Sequence, residues 1–250
     1  MRILVTFAVE AEFAPWRKLR TFEKQTDGRA EFFSVRIGGA DVNALLTGVG
    51  GKRAWVETTK TVWDGDVDIC ISSGLAGGLR SQYQVGEILA AREIQAIAWK
   101  QVVASDPQLL QLAERAGARL VDSFYSAERV IRSASEKQQL GKLADAVEME
   151  SGEVLFEAAV FGAKGIAIRG ISDTSSEDLP MDFNKVMTSE GEVSIPRVLG
   201  EVVRHPMSMP ALVRFGNQSR MAAEKLAGFL DHYIEAVASS MRIRAGDAAR

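Results

Sequence analysis

Ala146-Val147-Glu148-Met149-Glu150-Ser151-Gly152, followed further along by Arg169-Gly170-Ile171-Ser172-Asp173, is the pair of segments on which the fold turns. The first places two carboxylates around a methionine at the mouth of an apolar helix, Glu150 to Phe161. Acidic residues in a first helical turn are favoured by the helix dipole, so capping alone accounts for either one. The second reads as a strand, Gly165 to Ser172, entering the polar turn Ser172-Asp173-Thr174-Ser175-Ser176, where Asp173 suits an N-cap or turn position. Arg169 is harder to place. A guanidinium inside an apolar strand needs a carboxylate or a ligand as partner.

Outward from these segments, short β-branched runs alternate with stretches of helical period. Strands are expected at Arg2–Ala8, Asp41–Thr47, Val67–Ser73 and Glu87–Arg92 as well as Gly165–Ser172. Helices are expected at Glu12–Arg20, Lys52–Trp63, Gln108–Ala116, Glu150–Phe161 and through much of Ile195–Val237. This interleaving predicts an α/β fold of three layers, a mixed, mainly parallel twisted sheet flanked by helices. With no long linker or internal repeat, one domain is expected over residues 1–250, with a helical extension at about 195–240.

Three strands end in glycine or polar turns: Thr47-Gly48-Val49-Gly50-Gly51, Ser72-Ser73-Gly74-Leu75-Ala76-Gly77-Gly78 and the turn after Ile171. Ligands of open α/β sheets bind beyond the carboxyl ends of the strands, so the turns point to one shared site. The first turn fits neither nucleotide-binding template: Arg53 stands where a dinucleotide fingerprint needs glycine, and a Walker A loop would need Gly at 46 and Ser or Thr at 53. What remains is a glycine turn entering a helix, whose free N–H groups suit an anion or a ribose oxygen. Around Gly74, either a turn of positive φ or close backbone approach to a ligand explains the glycines. Glu12 follows the first strand and so falls at the same edge. Capping explains each carboxylate singly; Glu12, Glu150 and Asp173 converging with Arg169 is a constellation.

A formal net charge of −3 and a pI near 5.6 argue against a nucleic-acid binder. The lone cysteine, Cys70, lies in an apolar run and is expected to be a small core residue in a reducing cytoplasm. The apolar start is interrupted by Glu10 and Glu12 and does not read as a signal peptide. His205 and His232 lie in the tail without metal-ligand spacing. From Arg197 to Arg250, eight Arg or Lys face five Asp or Glu, and Leu212, Phe215, Ala222, Leu226, Phe229 and Tyr233 recur at helical steps. Such a helix packs on its own domain or on another subunit. With Arg197, Arg204, Arg214 and Arg220 around apolar faces, it also suits peripheral contact with a membrane or lipid.

Phe7-Ala8-Val9-Glu10-Ala11-Glu12, Thr47-Gly48-Val49-Gly50, Ser73-Gly74-Leu75-Ala76-Gly77-Gly78-Leu79, Asp122-Ser123-Phe124, Val147-Glu148-Met149-Glu150 and Arg169-Gly170-Ile171-Ser172-Asp173 occur in that order. Their order and spacing resemble the purine nucleoside phosphorylase/uridine phosphorylase superfamily over about the first 180 residues, most closely its adenine nucleosidases. The tail, from Val198-Leu199 through Arg204-His205-Pro206 to Met209-Pro210-Ala211-Leu212-Val213-Arg214-Phe215, is similar to the C-terminal extension of hopanoid-associated phosphorylases.

The resemblance implies cleavage of the N-ribosyl bond of a 5′-substituted adenine nucleoside, with adenosylhopane as one candidate substrate. It implies Asp173 as general acid to the purine, held by Arg169, and a protonated Asp173 favoured by partial burial. Glu150 would accept the ribose hydroxyls and Met149 would pack on the sugar. Phe124 would stack on the base, with the Tyr125 backbone along its edge. Glu12 would activate water, and Gly48, Ala76 and Gly77 would line the site. Leu75 stands where relatives commonly carry a serine that contacts phosphate or water. That departure tilts the expectation toward water, although Lys52, Arg53 or Arg80 would offer phosphate, as co-substrate, another site. No other cofactor and no metal are expected, and the partners are a small purine nucleoside and further copies of the chain, as dimer or hexamer. The alternatives are a methylthioadenosine/S-adenosylhomocysteine nucleosidase, a general purine nucleoside phosphorylase, and a nucleoside-binding protein that has lost catalysis.

Overall fold

The computed structural model describes residues 1–26, 31–62, 67–97, 100–186, 188, 197, 200 and 206–248. Of the earlier expectations, Trp63, Ile195, Val198-Leu199, Arg204 and His205 lie outside them. Eleven strands form one sheet in the order β2-β3-β4-β1-β5-β11-β6-β10-β9-β7-β8. The strands that carry the argument are β1 (Arg2–Phe7), β4 (Ala40–Leu46), β5 (Ile69–Ser72), β6 (Leu75–Gly78), β7 (Ile88–Ala96), β9 (Arg119–Ser126), β10 (Ala146–Glu148) and β11 (Lys164–Asp173). The edges are the hairpin strands β2 (Glu23–Thr26) and β3 (Glu31–Ile37) on one side and β8 (Gln101–Ala104) on the other.

The sheet is mixed: six of the eleven pairings among the described residues are parallel. The parallel run β4-β1-β5-β11 is the central part, and the alternation of strand and helix foretold it. Because β11 also pairs with β7, the strands β11, β6, β10, β9 and β7 close on themselves. That closure pairs β11 with both β6 and β7 and inserts the short strands β6 and β10, which strand–helix alternation does not announce.

Helices cover both faces. On one side α2 (Gly51–Val62) and α5 (Ser151–Val160) bury Ala54, Val154, Leu155 and Ala158 against Leu4, Cys70 and Ala167. On the other, α1 (Glu10–Leu19), α3 (Pro107–Arg115) and the long α7 (Met209–Ala248) bury Phe13, Trp16, Leu109, Leu226 and Tyr233 against Ile3, Val5 and Ile168. Two shorter helices, α4 (Ala134–Leu140) and α6 (Phe183–Val186), stand near the carboxyl ends of the strands. Cys70 is buried, and burial pushes its thiol up to about 12.

The tail helix packs on its own domain: Ala222, Leu226, Leu230, Tyr233, Ile234 and Val237 are buried, and Arg20 ties α1 to it through Asp231 and Glu235. Its first turns differ, with Met209 and Val213 exposed. His232 is on the solvent side. No helix among the described residues is long and apolar enough to cross a membrane.

Candidate active site

Where β1 ends, Val9 caps α1, and Glu12 at its third position turns back on the strand. Its Oε2 accepts from the N–H groups of Ala8 at 2.9 Å and Val9 at 3.4 Å. Val9 has no side-chain acceptor, so only the glutamate half of a capping box is present. The other oxygen, Oε1, accepts from Leu75 N at 2.8 Å. Burial raises the Glu12 pKa despite these three bonds. Gly74 lies so close that a Cβ there would meet the Glu12 carboxylate at 2.9 Å, which is the close approach its glycine provides. The approach is to a protein carboxylate. Leu75–Gly78, expected as a turn, is strand β6, parallel to β11 and antiparallel to β10.

The two glutamates after Val147 divide the roles that capping and ligand binding had left open. Glu148 is the cap: its Oε2 accepts from Glu150 N at 3.0 Å and Ser151 N at 2.7 Å, and it pairs with Arg169 at 2.6 Å. Glu150 instead reaches across to the first glycine turn and accepts from Gly50 N at 2.8 Å. The free N–H expected to hold an anion or a ribose oxygen thus holds this carboxylate. Burial first, then the charge of Glu148, pushes Glu150 up to about 8.

Arg169 does not hold Asp173, contrary to expectation. It is buried with Glu148, Ser72 Oγ at 3.1 Å and the Ile168 carbonyl, and lies 3.9 Å from Glu150. Residues 169 and 173 would share a face of a regular strand, but a register shift between Ile171 and Asp173 breaks the two-residue alternation. Asp173 is held by Lys137, whose ammonium bonds Oδ2, and its Oδ1 lies 2.7 Å from Ser172 Oγ. Lys137 belongs to α4, which Ser133 caps by accepting from Glu136 N. Flanked by Glu136 and Gln138, it reads in sequence as a solvated lysine, yet it is 0% exposed. No helix was expected here; the signal that could have found it is Ser133-x-x-Glu136, a capping-box pattern.

Glu12, Met149, Glu150, Ala76, Gly77 and Asp173 line one cavity of about 250 Å³. Gly48 itself is not in the wall; Val49 is, and Gly48 (φ +78) shapes the turn beside Arg53. Phe124 is also displaced from its expected role. It is fully buried in the core cluster with Leu89, Ile94, Val121 and Ala146. Alternation puts its neighbour Tyr125 on the other face, in register with the cavity-lining Val147. Neither aromatic lines the cavity. Phe183 and Phe215 do, from α6 and α7, with ring centroids 5.4 Å apart, and Val130, Ile131 and Leu179 extend that apolar wall. Among the described residues lining the cavity, Arg129 is the one cation, and it pairs with Glu136. Lys52, Arg53 and Arg80 are elsewhere, Arg80 on Asp145 at 2.9 Å. No group of three or more His, Cys, Asp or Glu among the described residues is arranged to hold a metal ion.

Residues 2–204 match the sequence profile of the phosphorylase superfamily. The chain belongs to that superfamily. Within it, the chain is 24% identical over 225 residues to a 5′-methylthioadenosine/S-adenosylhomocysteine nucleosidase of Shewanella halifaxensis, covering 80% of this chain and 97% of the relative. Among solved structures, it is similar to the nucleosidase of that name from Helicobacter pylori bound to butyl-thio-DADMe-Immucillin-A. There the TM-score is 0.71 at 20% identity, over 94% of this chain and 98% of the other. Futalosine hydrolase of Helicobacter pylori superposes with TM-score 0.69 at 20% identity, over 94% and 97% of the two chains. The fold of this superfamily member is thus that of nucleosidases, and its carboxylates stand at the carboxyl ends of β1, β10 and β11.

Proposed function

We propose that this protein hydrolyses the N-ribosyl bond of an adenine nucleoside carrying a 5′ substituent. The observation that carries the reading is a single cavity walled by Glu12, Glu150 and Asp173. Breaking an N-glycosidic bond builds positive charge on the ribose and negative charge on the leaving base, as in glycoside hydrolysis. A carboxylate beside the sugar and an acid beside the base answer those two charges. Glu150, set by the Gly50 N–H, serves the ribose hydroxyls and the developing cation. Asp173 delivers a proton to the purine. Glu12, fixed by three backbone N–H groups, takes a proton from the attacking water.

Water is favoured over phosphate by the wall itself. A phosphate dianion needs cations or a cluster of donors, and the Leu75 N–H is already given to Glu12. Adenine is supported by the likeness to 5′-methylthioadenosine/S-adenosylhomocysteine nucleosidases, and a large apolar 5′ group by the wall of Ile131, Leu179, Phe183 and Phe215. That group includes the adenosylhopane suggested by the tail. A second reading, a methylthioadenosine/S-adenosylhomocysteine nucleosidase, is favoured by the relatives named above. Adenine release from a panel of 5′-modified adenosines, with and without phosphate, tests both. Release that is phosphate-independent and faster for long-chain 5′-alkyl adenosines supports the first reading, faster release from methylthioadenosine supports the second, and no release from any of them ends both.

A further inference from the structure

We propose that Lys137 is the proton reserve behind Asp173, a positioning residue that acts on the leaving base through that carboxyl group. The inference rests on the assignment of Asp173 as general acid. Lys137 Nζ has three acceptors around it: Asp173 Oδ2, the Thr174 carbonyl at 3.1 Å and the Glu177 carbonyl at 2.9 Å. An ammonium has three donors and satisfies all three. A neutral amine has two donors and a lone pair, which satisfy the two carbonyls and accept a proton-bearing Asp173 Oδ2. Both positions of the proton therefore leave every group bonded, so its transfer needs no rearrangement. Ser172 permits the same freedom on the other oxygen. Its Oγ lies 2.7 Å from Asp173 Oδ1 and 3.2 Å from the Ala76 carbonyl, and its single proton serves whichever acceptor needs it.

The proton balance closes. The bond from ribose to base breaks with its electron pair going to the base, whose ring nitrogen takes the Asp173 proton, and Lys137 supplies that proton. The pair is left as amine and carboxylate. Water gives hydroxide to the ribose carbon and a proton to Glu12, which passes it to solvent, and solvent reprotonates Lys137.

The surroundings leave this exchange to the pair. On α4 itself, Glu136 is occupied by Arg129. After β11, the Glu177 carboxylate faces Gln218 and Arg214, while Asp178 accepts from Ala134 N. Beyond the end of α4, Asp145 pairs with Arg80, and on the β10 side Glu148 pairs with Arg169. Glu150 and Glu12 share the cavity. Among the described residues Asp173 is the one side chain that bonds the Lys137 ammonium.

The test is kcat for adenine release by wild type, Lys137→Met and Lys137→Arg from about pH 5 to 9, on the best 5′-modified adenosine. General-acid assistance is worth roughly 10²–10⁴-fold, so Lys137→Met is expected to lose about 100-fold at pH 8 with KM changed by less than about threefold. Its rate relative to wild type should rise at least about tenfold toward pH 5, because a lone Asp173 must take its proton from solution. The Glu150 and Glu12 titrations cancel in that ratio. Lys137→Arg keeps the charge and the donors but cannot surrender a proton, so it should lose about as much without recovery in acid. A pH-independent ratio for Lys137→Met, or wild-type kcat in Lys137→Arg, overturns the proposal. If neither variant folds, Lys137→Gln decides by the same ratio to wild type, and a pH-independent ratio there overturns the proposal. Asp173→Asn separates the two claims. Turnover retained there removes the acid assignment itself; a dead Asp173→Asn beside an unaltered Lys137→Met profile removes only the role of Lys137.

Discussion

Strand β11 carries one partner of each of two buried ion pairs, Arg169 with Glu148 and Asp173 with Lys137, and they behave as chemical opposites. Arg169 cannot lose its proton, and its partner's Oε2 also accepts from the start of α5. That pair is a permanent charge arrangement, with Glu148 at the cavity wall and Arg169 buried beneath it. It fixes Glu148 so that Glu150, two residues on, reaches Gly50. The other pair also has one member in the wall, Asp173, but its cation is an amine that can give up a proton. Two buried salt bridges thus divide architecture from proton transfer, and the nature of the cation makes the difference.

The sharpest way to break this contrast is Arg169→Met. It leaves Glu148 as an uncompensated buried charge, and unfolding in urea should show a loss of about 3–5 kcal/mol. Should stability hold and only turnover fall, Arg169 is not architectural. Next in size, Asp173→Asn should lower kcat by about 10²–10⁴-fold while isothermal titration still detects a nucleoside analogue. For Glu12→Gln the expected loss is about 100-fold in adenine release, and added phosphate should not restore it. Rescue by phosphate would contradict hydrolysis.

Glu150 tests the region between the pairs. Its pKa is raised in the folded state, from 4.5 to about 8, so the folded protein prefers it protonated. The stability this gives is complete below the unfolded value and is lost as pH rises toward 8. The Tm advantage of Glu150→Gln over wild type should therefore grow between pH 5 and 8. Over the same window wild-type kcat/KM should rise, as the ionised form serves the ribose cation. The smallest effect belongs to the apolar wall: Phe215→Ala should reduce the preference for a long 5′-alkyl group over methylthio by about tenfold, the worth of roughly 1–2 kcal/mol of apolar contact.

Legibility in the sequence followed the range of each signal. The strands β1, β4, β5 and β11 and the helices between them were readable because each is a long apolar run of one period. The strands β6 and β10 were not: Leu75–Gly78 carries three small residues and looked like a turn, and Ala146–Glu148 is three residues long and looked like a helix mouth. Of the site, Glu12, Met149, Glu150, Ala76, Gly77 and Asp173 were legible as motif residues and do share the cavity. Phe124, expected against the base, is buried in the core instead, because a motif gives order along the chain and not the face on which a side chain emerges.

What the sequence alone determined is the alternation of strand and helix, the carboxylates at the strand ends and the likeness to a superfamily. These depend on composition and spacing within a few residues. The tertiary structure decided who partners whom. A register shift in β11 separates Arg169 from Asp173, and α4 carries Lys137 across 36 residues of chain to take its place. No local pattern encodes such a pairing, since it depends on the summed geometry of every element between. A lysine among polar neighbours is thereby turned from a surface charge into a buried partner of the Asp173 carboxylate.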